Sequence, residues 1–262
     1  MSTPSNKISY RKAANYWSNI EPSIEGMLGG FGTLTELDCT SSTRFLTEFA
    51  TTPQGSKLSF DYACGNLEII FISWVGLQPD CLTEKQQQQK NKIKNNIDCG
   101  AGIGRVSKNF LLKIFKQVDL VEQCAKFLEE GEREYLKEEV ADGRVGSFFP
   151  IGLQEFQPVP ERYDMIWSQW VLGHLTDDDL LAFFLRCKAA LKPNGVIGVK
   201  ENVCPREIVE LDDEDSSVTR PAKLLEAVFE KAGLQILKRG VQTGFPKGLY
   251  PVNMYILQRR DD

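Results

Sequence analysis

A glycine-rich run, DCGAGIGR at residues 98–105, constrains the fold of this chain more than any other feature. It follows a short apolar approach at 96–97 and precedes a helix-like segment, 106–115. Glycines at alternate positions let the backbone pass close beneath a ligand, where a side chain would collide. The N–H groups at the start of the next helix then face the bound molecule. The run therefore predicts a strand–loop–helix unit that binds a nucleoside in a doubly wound fold.

Two acidic residues, each at the end of a predicted strand, narrow the choice of ligand. Asp98 ends the strand before the glycines, and a carboxylate there would repel the pyrophosphate of a nicotinamide dinucleotide. Glu122 ends the next strand, about where a doubly wound fold places the carboxylate that holds a ribose diol. S-adenosylmethionine suits both positions, because it carries a ribose, an ammonium and a sulfonium. The simpler alternative is a structural turn, since glycine triplets alone are weak evidence.

Composition excludes several classes of function. A hydrophobic content of 42% and a charged content of 26% are typical of a soluble globular protein. The net charge of −5 disfavours a nucleic-acid binder. Seven cysteines without a CxxC pair, and a single histidine, predict reduced thiols and no metal site. The polar N-terminus does not resemble a signal peptide, and the longest apolar stretch, 67–77, is too short to span a bilayer. We therefore expect no membrane association and a location in the cytoplasm, with the nucleus as a further compartment.

Short apolar runs alternate with helical segments from residue 96 onward, which predicts a mostly parallel sheet with helices on both faces. The predicted strands are 96–100, 117–121, 146–151, 163–169, 195–201, 234–241 and 250–258. The predicted helices between them are 105–116, 123–139, 176–191 and 221–232. The last two strands lie close together along the chain, as in a sheet whose final strand is antiparallel. The expected fold class is α/β, a seven-stranded Rossmann-like class I methyltransferase sheet with an N-terminal helical extension.

The chain before residue 96 is predicted to form two further parts. Residues 1–57 form an N-terminal helical lid, with helices at 9–20, 23–28 and 41–50. Residues 58–95 do not follow either pattern, because an apolar stretch precedes a tract with linker composition. We interpret 58–95 as an insertion or linker of unknown order, and a faulty gene model remains an alternative. Residues 96–262 form the S-adenosylmethionine-dependent methyltransferase core.

Polar side chains are expected to meet beyond the carboxyl ends of the strands, where ligands bind in such sheets. Arg105 follows the first strand, and its guanidinium could hold the donor's carboxylate in a bidentate pair. His174 follows the fourth strand and the acidic run 212–215 follows the fifth. A helix cap and a solvated cluster are the simpler interpretations of these two features. Their convergence on one edge of the sheet favours a functional role.

The motifs together resemble those of the protein α-N-terminal methyltransferases, which modify proteins that begin Xaa-Pro-Lys. The matching stretches are YW at 16–17, GMLGGFG at 26–32, DCGAGIGR at 98–105, GLQ at 152–154, QWVLGHL at 169–175, RC at 186–187, PNG at 193–195, KEN at 200–202 and LDDEDSSVTR at 211–220. They cover nearly all of the chain except 51–95. GMLGG, QWVLGHL and LDD-x-DSSV together are specific to this family, and the fungal-type members that it most resembles act on ribosomal proteins.

The resemblance implies roles for individual residues. Those implied to contact S-adenosylmethionine are Gly100, Gly102, Arg105, Glu122, Leu153, Gln154 and Gln169. Asp98 is predicted, from its position at the end of the strand, to face the donor's cationic groups. Those implied to line the peptide channel are Trp17, Leu28, Trp170, Asn202, Asp212, Ser217 and Tyr250. Asp215 and His174 would handle the proton of the substrate amine. S-adenosylhomocysteine would be the product, no metal would take part, and the protein would be a monomer. Two departures stand out: Glu122 occupies a position where the family often has Asp, and Phe31 replaces a frequent Tyr.

Three other functions remain open on the sequence. A small-molecule methyltransferase of the same fold would not need the acidic run 212–215. A nucleic-acid methyltransferase is disfavoured by the net charge and by Ser168-Gln169-Trp170, because such enzymes often carry Asn/Asp-Pro-Pro-aromatic there. A non-catalytic adaptor would keep the fold and bind the donor without turnover.

Overall fold

The structure is a computed structural model that describes residues 4–57 and 95–260. Its helices are α1 (Tyr10–Asn19), α2 (Ile24–Met27), α3 (Thr35–Ala50), α4 (Leu112–Ile114), α5 (Ala125–Glu130), α6 (Lys137–Ala141), α7 (Asp177–Ala190) and α8 (Ala222–Lys231). Its strands are β1 (Asn95–Cys99), β2 (Gln117–Val121), β3 (Val145–Phe149), β4 (Tyr163–Gln169), β5 (Leu191–Asn202), β6 (Glu210–Asp212), β7 (Ser217–Thr219), β8 (Leu234–Val241) and β9 (Val252–Arg259). Short 3₁₀ turns occur at Pro4–Lys7, Gly32–Leu34, Gly55–Lys57 and Leu172–His174, and π-helical turns at Ser107–Leu111 and Gly131–Tyr135. The predicted insertion lies outside the described residues apart from Asn95.

Seven strands form one sheet in the order β3-β2-β1-β4-β5-β9-β8. The first five are parallel, whereas β9 pairs antiparallel with both β5 and β8. This arrangement confirms the predicted fold class. The strand order reverses beside β1, and the carboxyl ends of β1 and β4 therefore face a crevice that can bind a ligand.

One predicted turn lies inside a strand. The predicted helix 176–191 and the predicted strand 195–201 leave a turn between them, but β5 already begins at Leu191, which is paired with Tyr163. The register then shifts, and the next pair joins Met165 to Val196. Asn194 has a φ of 65°. The residues of the predicted turn therefore form a bulge in β5, and the part of β5 from Val196 onward pairs with β4 in regular register.

Two predicted helices contain π-helical turns. The segment predicted as 105–116 includes Ser107–Leu111, and the one predicted as 123–139 includes Gly131–Tyr135. The two turns pack on each other, because Lys108 Nζ donates to the Tyr135 carbonyl at 2.7 Å. A Cβ on Gly131 would lie 2.8 Å from the carbonyl oxygen of Ile103. The glycine therefore lets this helix approach the glycine loop closely.

The acidic run forms part of a β-hairpin that the sequence did not predict. Strands β6 and β7 pair antiparallel, and Asp212 lies opposite Ser217. Residues 213–216 make the turn, in which Ser216 has a φ of 59°. Acidic residues are poor strand formers, so periodicity alone gave no signal for this hairpin.

The hydrophobic core covers both faces of the sheet. On one face α7 and α8 pack through buried aromatic side chains such as Phe183, Phe184 and Phe229. On the other face Phe45 and Leu46 of α3 lie in the same cluster as side chains from 106–115. Helix α3 therefore belongs to the core of the sheet, whereas α1 and α2 lie across its ligand-binding edge. In the described parts of the chain no helix is long and apolar enough to span a membrane.

Candidate active site

The glycine loop between β1 and the following helix forms the floor of a cleft. Gly100, Gly102 and Gly104 all have positive φ, at 76°, 57° and 89°. A Cβ on Gly100 would lie 2.5 Å from Val171 Cβ, and one on Gly102 would lie 2.4 Å from Met27 Sδ. The loop conformation and the close neighbours thus both require glycine.

The cleft above this loop has a volume of about 920 Å³, part of which is open to solvent. Seven of the eight residues predicted to contact the donor line it: Gly100, Gly102, Arg105, Glu122, Leu153, Gln154 and Gln169. The sequence did not identify Tyr10, Ala13, Met27 or Phe127, which also line it. The amphipathic character of α1 was the available signal for the first two, since an apolar stripe must cover something.

Glu122 lies at the end of β2, as predicted for a carboxylate that holds a ribose. Its Oε2 accepts from the Gly102 N–H at 3.1 Å and its Oε1 accepts from the Cys124 N–H at 2.9 Å. Burial raises the pKa of Glu122, and these backbone donors oppose that rise. The carboxylate therefore braces the glycine loop and also borders the cleft.

Asp98 lies beneath the loop rather than in the cleft. Its side chain is buried, and its Oδ2 accepts from the Ser107 hydroxyl at 2.7 Å. Burial raises the pKa of Asp98 to about 6, against the opposing effect of that hydrogen bond. The prediction that Asp98 faces the cationic groups of the donor is thus corrected: its carboxylate supports the first turn of the helix after the loop.

Arg105 borders the cleft, but its guanidinium also has a partner within the protein. Its Nη1 donates to Asp38 Oδ2 at 2.7 Å, and the group lies 5.4 Å from the centre of the Trp170 ring. Gln169 Nε2 donates to the same carboxylate at 2.8 Å. Asp38, a residue that the sequence reasoning missed, thus engages Nη1, and the predicted bidentate grip on a donor carboxylate would use Nε and Nη2.

A second cavity, with a volume of about 1210 Å³ that is partly open to solvent, adjoins the cleft. The two share five lining residues: Trp17, Met27, Leu28, Trp170 and His174. The residues predicted for the peptide channel that line it are Trp17, Leu28, Trp170, Asn202, Ser217 and Tyr250. Asp215 and Glu201 line it as well. Asp212 lies outside it, exposed at the end of β6, where its Oδ1 accepts from the Glu214 N–H at 2.8 Å.

The predicted proton-handling pair lies where the two cavities join. His174 Nε2 is 3.8 Å from Asp215 Oδ2 and accepts from the indole N–H of Trp17 at 3.2 Å. Burial lowers the pKa of His174, and the Asp215 carboxylate opposes this shift. The imidazole is therefore a neutral acceptor at pH 7, beside a carboxylate that can hold a cation.

Residues 170–175, which carry His174, are held at both ends. Trp170 has a φ of 52°, and Glu201 Oε2 accepts from the N–H groups of Val171 and Leu172 at 3.2 and 3.0 Å. Arg220 donates to the carbonyls of Leu172 and Leu175 at 3.0 and 2.5 Å. Because a non-glycine residue in this backbone region is strained, the surrounding hydrogen bonds must maintain it.

Helix α1 covers the junction of the two cavities. The Ser9 N–H donates to Ser216 Oγ in the hairpin turn at 2.9 Å. The Tyr10 hydroxyl donates to Asp179 and accepts from the Thr176 N–H. These contacts tie α1 to the acidic hairpin and to the start of α7, which keeps the Trp17 side chain over His174.

The residues of the cleft fit an adenosyl methyl donor. The glycine loop leaves no room for side chains, Glu122 can reach a ribose, and Leu153, Ile151 and Val171 provide an apolar surface for a base. Within the described residues, no group of His, Cys, Asp and Glu side chains could hold a metal ion. The sheet order, the cleft and its direct opening into a second cavity define a class I S-adenosylmethionine-dependent methyltransferase.

Comparison with known proteins specifies the class further. The chain belongs to the family of AdoMet dependent proline di-methyltransferases, whose family model matches residues 5–67 and 78–258. It is 39% identical over 249 residues to N-terminal Xaa-Pro-Lys N-methyltransferase 1 of Danio rerio, covering 95% of both chains. It is 36% identical to the Homo sapiens protein of the same name, again over 95% of both chains.

Solved structures agree with this assignment. A SAM-dependent methyltransferase of Leishmania major superposes with a TM-score of 0.74 and 31% identity, over 95% of this chain and 82% of that one. The fold alone is shared with an N1-methyltransferase from Burkholderia thailandensis, at a TM-score of 0.54 and 17% identity over 88% and 89% of the two chains. These matches confirm the predicted family and the predicted transferase class.

Proposed function

We propose that the protein transfers methyl groups from S-adenosylmethionine to the α-amino group of proteins that begin Xaa-Pro-Lys. The relatives from Danio rerio and Homo sapiens carry this substrate in their names. The observation that supports it most strongly is the second cavity, which opens off the donor cleft and is lined by aromatic side chains and by Asp215. A chain terminus can enter such a cavity and reach the junction at His174.

The chemistry of the amine favours a chain terminus over a lysine side chain. When bound, S-adenosylmethionine supplies an electrophilic methyl group on its sulfonium, and the attacking nitrogen needs a free lone pair. An α-amine with a pKa near 7.7–8.0 is about one-tenth neutral at pH 7, which costs about 1 to 1.5 kcal/mol. A lysine amine with a pKa of about 10.4 would cost several kcal/mol more. Positioning, worth up to about 7 to 11 kcal/mol, then matters more than base strength.

We propose that Asp215 accepts the proton of the substrate amine and that His174 assists it. Asp215 Oδ2 lies beside the imidazole, and its Oδ1 accepts from the Ser217 N–H at 3.0 Å, so the carboxylate has a fixed orientation. An ammonium entering the cavity would be attracted to this carboxylate. His174 Nε2 is occupied by the Trp17 indole and can accept a proton only when that hydrogen bond is released. Asp215 is therefore the first acceptor.

The walls of the second cavity support a preference for proline at the second substrate position. Trp170 and Leu28 lie where the cavity meets the donor cleft. Proline has a fixed φ and no N–H, so it enters a narrow apolar slot with little loss of entropy and no unpaired donor. Asp212, exposed on the hairpin beside the cavity, is the proposed partner of the lysine at position three.

Mass spectrometry of a Ser-Pro-Lys or Pro-Pro-Lys peptide, incubated with the protein and S-adenosylmethionine, tests this function. We expect the mass of one or more methyl groups on the free peptide and none on its N-acetylated form. The number of methyl groups added would give the product. Donor binding without any methylated peptide would contradict the proposal and favour a small-molecule methyltransferase or an adaptor.

We further propose that ribosomal proteins are among the substrates, and that the protein acts as a monomer in the cytoplasm and in the nucleus. The five described cysteines are free thiols, which suits a reducing compartment. Methylated N-termini of ribosomal proteins should be lost in cells without the gene. Their persistence would contradict the assignment of these substrates.

A further inference from the structure

One buried carboxylate joins the N-terminal region to the donor cleft. Asp38 lies on α3, and its side chain is fully buried. Its oxygens receive Arg105 Nη1 at 2.7 Å, Gln169 Nε2 at 2.8 Å and Lys200 Nζ at 2.5 Å. These three partners come from the glycine loop, the end of β4 and β5. Asp38 thus fixes the relative positions of four separate segments of the chain.

Two of the three partners border the cleft, whereas Asp38 itself lies behind them. Arg105 and Gln169 are both lining residues of the donor cleft. Gln169 Oε1 accepts from the Trp167 indole N–H at 3.2 Å, so both ends of its amide are held. Asp38 can therefore act on a ligand in the cleft through these two side chains.

The guanidinium of Arg105 has donors left for a ligand. Its described hydrogen bonds, to Asp38 and to the sulfur of Cys39, both use Nη1. A guanidinium carries five N–H donors in a planar fork, so anchoring Nη1 fixes the directions of the others. The planar fork suits a carboxylate, and the methionine part of the donor ends in one.

We propose that Asp38 is a positioning residue for the donor's carboxylate, acting by anchoring Arg105 and Gln169 from behind the cleft. The inference rests on the donor being S-adenosylmethionine, but it does not depend on the peptide substrate. It gives α3 a role in donor binding besides its packing in the core.

Lys200, the third partner of Asp38, has other contacts that hold it in place. Lys200 is fully buried and also donates to Ser42 Oγ and to Gln242 Oε1 at 3.0 and 2.7 Å. Burial lowers the pKa of Lys200, and Asp38 opposes that shift. Asp38→Asn therefore removes the charged partner that Arg105 and Lys200 share, while Lys200 keeps its contacts with Ser42 and Gln242.

Comparing the binding of two ligands distinguishes a positioning role of Asp38 from general structural damage. S-adenosylhomocysteine carries the carboxylate, whereas 5′-methylthioadenosine has the same adenosyl thioether without the amino acid. Isothermal titration calorimetry would give the Kd of both for the wild-type protein and for Asp38→Asn. We expect S-adenosylhomocysteine to bind about 10- to 100-fold more weakly to the variant, as for loss of a charged hydrogen bond. The Kd of 5′-methylthioadenosine should stay unchanged.

Asp119→Asn is a matched control. Asp119 is also buried, and its Oδ2 accepts from Arg162 Nη2 at 2.7 Å and from the Tyr163 hydroxyl at 3.0 Å. Neither partner borders the cleft. This variant should lose stability, while its Kd for both ligands stays that of the wild-type protein.

An equal loss of affinity for both ligands, or no loss for either, would overturn the proposal. If Asp38→Asn does not fold, hydrogen exchange on the wild-type protein replaces it. S-adenosylhomocysteine should then slow amide exchange around Asp38–Ser42 of α3 more than 5′-methylthioadenosine does, at saturation by each ligand. Equal protection by the two would refute the role. Since no peptide is present, failure of Xaa-Pro-Lys methylation would leave this result standing.

Discussion

The hydrogen bond from Trp17 to His174 should set the protonation of the only imidazole in the chain. An indole N–H can donate to Nε2 only while that nitrogen is unprotonated, so the bond stabilises neutral His174. Trp17→Phe removes the donor and keeps most of the apolar surface. We therefore expect the pKa of His174 to rise in this variant, from a wild-type value that burial holds below the usual range.

The size of the change follows from the energy of the hydrogen bond. A neutral hydrogen bond contributes about 0.5 to 1.5 kcal/mol net, and 1.36 kcal/mol corresponds to one pKa unit, so the rise should be about 0.4 to 1.1 units. The Asp215 carboxylate, 3.8 Å from Nε2, is then free to pair with the protonated ring. The added positive charge would repel an incoming ammonium, and methylation should lose activity at acidic pH first.

A pH titration of the imidazole Cε1–H resonance by NMR measures this pKa directly, because a tag-free protein has one histidine. Tyr10→Phe is the matched control, since it loosens α1 through its contacts with Asp179 and Thr176 without touching His174. We expect the control to leave the pKa unchanged. A pKa that does not rise in Trp17→Phe, or that rises equally in Tyr10→Phe, would refute the role of the indole.

Three further substitutions test other parts of the site, and a fourth, Gly143→Ala, is a control outside it. Asp215→Asn should reduce kcat of peptide methylation and leave the Kd of S-adenosylhomocysteine unchanged; weaker donor binding would argue against its assignment to the amine. Gly100→Ala should cost about 2 to 4 kcal/mol of unfolding free energy, from a positive φ and contact with Val171, and should weaken donor binding. Gly143→Ala, with a φ of 67° and open space, should cost only the backbone part, about 1 kcal/mol, in urea unfolding. Burial raises the pKa of Glu201 from 4.5 to about 7, so its contribution to stability is full at low pH and is lost as pH rises through that interval. Glu201→Gln should remove up to about 3 kcal/mol of this decline between about pH 5 and pH 8, and an undiminished decline would contradict its origin in Glu201.

The sheet could be predicted from the sequence because its strands appear there as short apolar runs that alternate with helical segments. The strand at 234–241 was predicted with the bounds that β8 has, and the glycine run located the loop after β1. The hairpin β6–β7 was missed because its strands have three residues each and β6 carries two acidic side chains. Its turn also contacts a distant segment, through the hydrogen bond from the Ser9 N–H to Ser216 Oγ, and no local pattern contains that contact.

The difference between local sequence signals and contacts of distant segments also applies to individual side chains. The motif identified Arg105 and Asp98 as site residues, but not the direction in which either side chain points. Asp98 is bonded to Ser107, nine residues away, beneath the loop. Arg105 is bonded to Asp38, 67 residues away in the chain. Periodicity predicts that a residue is buried, whereas the partner of a buried charge depends on how distant segments pack.

The N-terminal region therefore makes hydrogen bonds to both the donor cleft and its junction with the second cavity. Asp38 of α3 anchors two side chains of the donor cleft, and Trp17 of α1 holds the imidazole at the junction with the second cavity. Both contacts join residues before position 57 to residues after position 95. Since a buried carboxylate and an indole N–H each need their partner, separating the two regions would leave polar groups unpaired on both sides. The donor cleft and the pair that we propose to handle the amine proton can therefore keep their geometry only while α1 and α3 are docked on the sheet.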